Sequence, residues 1–434
     1  MSKKFWDEKC ETMPVDEMEK VQLKSLQDTL KHVYNNVPFY KKKFDEVGVK
    51  PDDCKKLHDI GLFPFSYKND LRDNYPFGLC AVPMREVVRV HASSGTTGKP
   101  ITGPYTAKDL DDWSECMART LYAQGFRDDD IVQNAYGYGL FTGGLGFHQG
   151  ALKIGCAVVP TSSGLTERQI ILMQDFGVTG LMCTPTYALT IAERANRMGV
   201  DFKNSPLRVG SFGAEPWTVA MREEIQAQLG IAAHEAYGLT ELMGPGVAFS
   251  CEAYKLHINE DHAYPEIIDS ETGESLPLGH QGELVFTSLQ RRAMPMIRYR
   301  TKDITRLHRE TCSCGRTLIT MDKITGRADD MLIITGVNVF PSQVEAVILE
   351  FPEMQPIYQI RVMKKGYLDV MAVEAEAKRS VYEDGEEKIT ALTKKISDRF
   401  TQVIGIKIPI TILPFNSIPR SEGKAKRIID ERNN

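Results

Sequence analysis

No stretch of this chain approaches the roughly 20 consecutive apolar residues that a membrane-spanning helix needs. Its opening, Met1-Ser-Lys-Lys-Phe-Trp-Asp-Glu-Lys9, also lacks an apolar targeting segment. Charge of one sign is missing as well: 53 basic residues against 58 acidic ones leave a net charge of -5 over 434 residues. That balance gives no reason to expect nucleic acid or an anionic membrane as a partner. Nine cysteines in so long a chain are too few for a disulfide framework, and without a secretion signal they read as reduced thiols or metal ligands. Internal repeats and low-complexity tracts are absent. We therefore expect a cytoplasmic protein with neither a nucleic-acid nor a membrane partner.

What is present is enough chain for two or more domains. Residues 15 to 47 read as one helix, with Leu23, Leu26, Leu30 and Val33 recurring at helical spacing. From about 84 to 240 strand-like runs such as Val87 to Val90, Cys156 to Val159 and Gly180 to Cys183 alternate with amphipathic stretches, one opened by Thr106-Ala-Lys-Asp109, an N-cap sequence. That alternation predicts an α/β fold with a largely parallel sheet. Between about 245 and 325 the pattern changes to short, turn-punctuated strands, among them Glu266 to Asp269, Gly282 to Phe286 and Met296 to Tyr299, predicting a β-rich subdomain. After Gly326 a mixed α+β tail follows. The expected division is residues 1–326 as a large N-terminal domain and 327–434 as a small, mobile C-terminal lid.

The segment His91-Ala-Ser-Ser-Gly-Thr-Thr-Gly-Lys-Pro100 stands out. It follows a β-branched strand and packs four hydroxyls, two glycines and one lysine into residues 93–100. Glycine lets backbone N–H groups converge on an anion, hydroxyls add donors, and Lys99 adds a point charge. The spacing is not that of a Walker A loop, because Pro100 stands where the metal-binding hydroxyl would be. At the end of a parallel strand such a loop would face a ligand. The dinucleotide fingerprint is missing, since Gly144-Leu-Gly146-Phe-His-Gln-Gly150 lacks the G-x-G-x-x-G spacing.

Further polar clusters follow in order: Gly213-Ala-Glu-Pro216, Tyr237-Gly-Leu-Thr-Glu241, Tyr299-Arg-Thr-Lys-Asp303, Gly326-Arg-Ala-Asp-Asp330 and Pro419-Arg-Ser-Glu-Gly-Lys424. Together with the hydroxyl-rich loop they resemble the adenylate-forming superfamily of acyl-CoA synthetases, adenylation domains and luciferases. Tyr136-Gly-Tyr-Gly-Leu-Phe-Thr-Gly-Gly-Leu-Gly146, Leu332-Ile-Ile-Thr-Gly-Val-Asn-Val-Phe-Pro-Ser-Gln-Val-Glu345 and Arg420-Ser-Glu-Gly-Lys-Ala-Lys-Arg427 are similar to the phenylacetate-CoA ligase family. The likeness runs from about residue 60 to the end.

The resemblance implies an ATP-dependent, AMP-forming ligase that joins phenylacetate, or an indolic or other arylacetate, to coenzyme A through an acyl adenylate. It implies that Ser93, Ser94, Gly95, Thr96, Thr97 and Lys99 surround the phosphates and that Glu241 holds Mg²⁺. Adenine would lie between Tyr237 with Gly238 and the Gly213, Ala214, Glu215, Pro216 run, with Thr240 nearby; Asp303 would accept from the ribose and Arg327 would reach ribose or phosphate. Thr96, Glu241 and Lys424 would be catalytic, and Asp329 would be the hinge of the lid. The acid would be lined by Tyr136, Phe141, Phe147, Gly213, Ala214 and Pro245, where Phe147 departs from the small residue usual in the family. Relatives are commonly homodimers. The alternatives are an adenylating enzyme that loads a carrier protein and a catalytically silent nucleotide-binding regulator.

A second constellation does not depend on the resemblance. Cys251 and His257 have five residues between them, and Cys312-Ser-Cys314-Gly315 offers two thiols before a glycine. Brought together, these four residues would form a closed Cys₃His structural zinc site, with His262 and His308 as nearby alternates.

Overall fold

The computed structural model describes residues 3–93, 100–327, 332–334, 337–365, 368–383, 385–420 and 427–432. Its centre is a nine-stranded sheet. In spatial order the strands are Leu307–His308, Thr320–Met321, Leu256–Ile258, Gly244–Ser250, Ala232–Leu239, Val209–Gly213, Gly180–Cys183, Ile131–Asn134 and Ala157–Val159. The last five run parallel, and the first four extend the sheet antiparallel. Gly180–Cys183 and Val209–Gly213 are buried along their whole length, as parallel strands covered on both faces must be. Two separate cores lie on those faces, one around Phe212, Tyr187 and Leu229 and the other around Trp113, Phe126 and Phe147.

A four-stranded antiparallel sheet, Ala263–Ile268, Gly282–Ser288, Tyr299–Thr305 and Gly326–Arg327, packs with the N-terminal helices in a further core. The stretch from 245 to 325 is therefore shared between two sheets instead of forming a subdomain of its own. The C-terminal region builds its own core, whose buried members all come from residue 332 onward. It wraps helices Pro341–Leu349 and Glu386–Ile404 on a four-stranded sheet that includes Met354–Lys365 and Leu368–Ala377. Among the described residues no helix is long and apolar enough to cross a membrane.

Three local expectations need correction. The helix expected over 15–47 is two, Val15–Asn36 and Pro38–Glu46, because Pro38 has no N–H to donate and Val37 is held extended before it. The strand expected at 296–299 is instead Tyr299–Thr305, preceded by Arg298 with a positive φ of 44°. The hydroxyl-rich loop does not leave the parallel sheet. It connects Val87–Ala92 and Thr102–Thr106, an antiparallel hairpin of its own, whose second strand runs into the helix that Thr106 and Asp109 cap reciprocally.

Candidate functional site

The carboxyl ends of Val209–Gly213 and Ala232–Leu239 meet the Tyr299–Thr305 strand across a cleft of about 900 Å³, open mouth included. The sequence forces the approach. A Cβ on Gly213 would lie 2.1 Å from the Ala236 carbonyl oxygen, and one on Gly238 would lie 1.9 Å from that of Gly244, so only glycine fits at either place. Ala214 turns the chain with φ 72° and delivers Glu215 to the end of helix Pro185–Arg197, where the Thr186 amide donates to Glu215 Oε1 at 2.8 Å. A carboxylate there satisfies an otherwise unpaired amide of the first helical turn.

Across the cleft, period-two alternation along Tyr299–Thr305 turns Tyr299, Thr301 and Asp303 inward, while Arg300 pairs with Glu283 behind the strand. The Tyr237 hydroxyl donates to Asp303 Oδ2 at 2.5 Å, and Arg327 Nη1, directly opposite on the neighbouring strand, donates to Asp303 Oδ1 at 3.2 Å. The Tyr299 hydroxyl donates to Glu241 Oε1 at 3.1 Å. Burial of each hydroxyl and then the facing carboxylate hold the Tyr237 and Tyr299 phenols well above their ordinary range, so both stay protonated donors. Arg291 stacks over Tyr105 and donates to the carbonyls of Thr240, Glu241 and Leu242, which fixes the turn carrying Glu241.

Thus Gly213, Ala214, Glu215, Pro216, Tyr237, Gly238, Glu241, Asp303 and Arg327 line one cleft, while Thr240 is buried just behind it. Trp217, Glu235, Ile324, Tyr299 and Lys68 line it too, and sequence reading missed them. The alternation of Tyr299-Arg-Thr-Lys-Asp303 was the available signal for Tyr299. Lys68 had none: it opens the short helix Lys68–Asp73 and reaches the cleft because Ser66 bridges to Tyr299. Ser93 is anchored through its hydroxyl, which accepts from the Ile101 amide at 2.9 Å. Ser94, Gly95, Thr96, Thr97, Lys99, Asp329 and Lys424 lie outside the described residues.

The residues expected around the acid form an aromatic group beside the cleft. Tyr136 and Phe147 stack at 4.6 Å with an interplanar angle of 8°. Gly143 admits both Phe141 and Tyr136, which would lie 2.7 and 3.3 Å from a Cβ there; Gly146 does the same for Trp113 and Pro245. The Tyr136 hydroxyl is buried with no hydrogen-bond partner among the described residues, 3.8 Å from where a Gly213 Cβ would sit. Gly213 is therefore the joint between the aromatic group and the cleft. Phe147 is fully buried and covers one face of Tyr136, while Phe141 is 38% exposed.

The Cys/His cluster also assembles. The sulfur atoms of Cys251, Cys312 and Cys314 and a nitrogen of His257 all lie within 4.8 Å of one another and are buried. Cys251 follows strand Gly244–Ser250, His257 is in Leu256–Ile258, and the two remaining thiols are in the turn before Thr320–Met321, which pairs with the histidine's strand. Cys251 Sγ is 3.8 Å from Cys312 Sγ, and Cys314 Sγ is 3.5 Å from His257 Nε2. His257 Nδ1 faces the Leu318 carbonyl at 3.3 Å, the outer-shell contact that orients a ligating imidazole.

Residues 16–290 match the AMP-binding enzyme model and residues 336–432 the AMP-binding enzyme C-terminal domain. The chain belongs to the AMP-binding enzyme family, on its phenylacetate-coenzyme A ligase branch. It is 51% identical over 430 residues to the phenylacetate-coenzyme A ligase of Aromatoleum evansii, covering 98% of this chain and 97% of that one. Among solved AMP-binding enzymes, 2-hydroxyisobutyryl-CoA ligase in its postadenylation state with 2-HIB-AMP is 27% identical. It matches 99% of this chain and 93% of its own at a TM-score of 0.94. The same ligase with 2-HIB-AMP and CoA in its thioesterification state covers the same shares at 0.74.

Proposed function

We propose that this AMP-binding enzyme converts phenylacetate, or a related arylacetate, to its CoA thioester through an acyl adenylate. The observation that carries the proposal is the single cleft in which Tyr237, Asp303 and Arg327 face the Gly213 to Pro216 turn, with an aromatic group joined to it at Gly213. Tyr237 offers a flat surface for adenine, and Asp303, already fixed by two donors, accepts from ribose hydroxyls. A carboxylate oxygen attacks the α-phosphorus, the bond to pyrophosphate breaks, and the acyl adenylate forms. The thiol sulfur of CoA then attacks the acyl carbon and AMP leaves.

The first step brings two anions together, so oriented donors and cations carry it. Ser93, Ser94, Gly95, Thr96, Thr97 and Lys99 supply them toward the phosphates, Lys424 toward the reacting α-phosphate, and Asp329 is the hinge that removes Lys424 before the thiol enters. Glu241 is a hard oxygen donor suited to Mg²⁺, which would neutralise phosphate charge. Cys251, His257, Cys312 and Cys314 suit a closed structural Zn²⁺ site: three sulfur donors and one oriented imidazole, all buried and within reach of one ion.

Tyr136, Phe141 and Phe147 favour a flat apolar acid. The near coincidence with the postadenylation form of the solved relative supports reading the present arrangement of large and small domains as the adenylate-forming one. The test is pyrophosphate release over a panel of acids, with and without CoA. Acid-dependent release with arylacetates, and thioester formation only when CoA is added, is the expected result. Thioester formation on a carrier protein but not on CoA would select the carrier-loading alternative.

A further inference from the structure

The C-terminal region has its own core, and it meets the large domain through Leu349, which packs on the core around Phe212, and through polar contacts that include Thr218 with Glu345 and Glu193 with Arg420. We propose that the Glu193–Arg420 ion pair is the latch that selects the adenylate-forming arrangement, making both positioning residues for the first half-reaction; this rests on the two-step reading above. Arg420 stands one residue before the 421–426 segment and is held within its own domain. Its Nη1 and Nη2 donate to the two oxygens of Glu376 at 2.7 and 2.8 Å, and Nη1 also donates to the Ile418 carbonyl at 3.1 Å. Glu376 is fully buried and also accepts from the Asn416 and Ile418 amides, so the arginine is rigid whatever the large domain does.

Its remaining edge points across the gap. Nε and Nη2 reach Glu193 Oε2 on helix Pro185–Arg197 at 3.3 and 3.2 Å. Glu193 has a partner of its own in Arg197, one helical turn on, and both arginines flank the Phe415 ring, at 4.9 and 5.8 Å from its centroid. Each partner therefore keeps a counter-charge when the pair separates, and neither is left buried and unpaired. That is what a contact made to open requires, since breaking an ion pair whose members have no second partner is strongly unfavourable. The carrying helix is also the one whose first turn holds Glu215 at the cleft.

A second cross-domain contact is less separable. Glu345 accepts from the Thr218 amide at the start of helix Val219–Leu229 at 3.2 Å, but it also pairs with Arg427 at 2.9 Å inside its own domain. Glu193 is the cleaner probe.

The experiment uses the full-length enzyme and measures each half-reaction alone: pyrophosphate release on adenylation, and conversion of synthetic phenylacetyl adenylate by CoA. Glu193→Gln, which keeps shape and removes charge, is expected to slow adenylation about three- to tenfold in kcat with the KM for ATP unchanged. Thioesterification should hold its rate or gain. Glu193→Asp should recover most of the adenylation rate. Raising salt to about 0.5 M should slow adenylation in the wild type more than in Glu193→Gln, because the variant has lost the screened pair. Equal loss in both half-reactions, or no change in either, overturns the latch. A wild type that releases no pyrophosphate with any acid overturns the functional reading and the latch with it, whereas an active wild type with an unchanged ratio in Glu193→Gln overturns the latch alone.

Discussion

The cleft between Tyr237 and Asp303 and the Cys/His cluster both draw on the central sheet, but they are held in different ways. In the cleft two carboxylates are held by facing donors: Tyr237 and Arg327 occupy both oxygens of Asp303, and Tyr299 donates to Glu241. In the cluster three thiols and an imidazole converge on one another, with sulfur 3.8 Å from sulfur and 3.5 Å from imidazole nitrogen. The carboxylates of the cleft are thus positioned by the protein's own donors, and a ligand accepted there would exchange one set of hydrogen bonds for another. The cluster gathers three sulfur donors and one imidazole nitrogen, and the Zn²⁺ proposed for it would bind all four at once. Loss of a cleft residue should therefore alter kinetics with little effect on stability, and loss of a cluster residue should do the reverse.

The sharpest separation should come from Lys424→Ala. It is expected to lower acyl-adenylate formation about 100- to 1,000-fold while leaving CoA attack on synthetic phenylacetyl adenylate within about threefold, both read as single-turnover rates. Equal losses would remove the division of labour between the two half-reactions. Next, Asp303→Asn keeps the shape but removes the charge, and should raise the KM for ATP about tenfold or more with the melting temperature unchanged. A drop in melting temperature without a KM effect would make Asp303 a scaffold residue.

Cys312→Ser combined with Cys314→Ser should abolish stoichiometric zinc in protein purified without chelator and lower the melting temperature by about 5 to 10 °C, with KM for ATP unaffected. Wild-type stability in that variant, or wild-type protein without zinc, would contradict a structural metal.

The smallest expected effect is electrostatic. His91 is buried where it enters the hydroxyl-rich loop, with Nδ1 at the Leu140 carbonyl and Nε2 without a partner among the described residues. Burial first, and the nearby Arg89 and Arg291, hold its imidazole below the ordinary value. The native state therefore binds fewer protons than the unfolded chain, and stability should fall as pH drops below about 6.5. His91→Gln should flatten that slope in denaturant titrations at pH 7.5 and at about pH 5.5.

Much of the site was legible because its chemistry is written in short contiguous strings. Gly213-Ala-Glu-Pro216 and Tyr237-Gly-Leu-Thr-Glu241 each combine glycines that neighbouring strands demand with the polar residue delivered beside them. Lys68 and Tyr299 were not legible as cleft residues: the first lies in an ordinary helical start, and the second was read as the end of a strand it actually begins. The hydroxyl-rich loop was recognised by composition, yet its attachment to a separate hairpin was not, because a strand's partner is set by hydrogen bonds to a distant segment.

Residue order and type alone determined the parallel α/β plan, the family, the hydroxyl-rich loop and the two cysteine-bearing segments, since each rests on local periodicity or a contiguous motif. Only the tertiary structure decided that Asp303 faces Tyr237 across 66 residues of chain, that three sulfur atoms and an imidazole nitrogen converge within 4.8 Å, and that Arg420 reaches Glu193. Such pairings depend on sheet register and on how separately folded cores dock, and no local pattern encodes either.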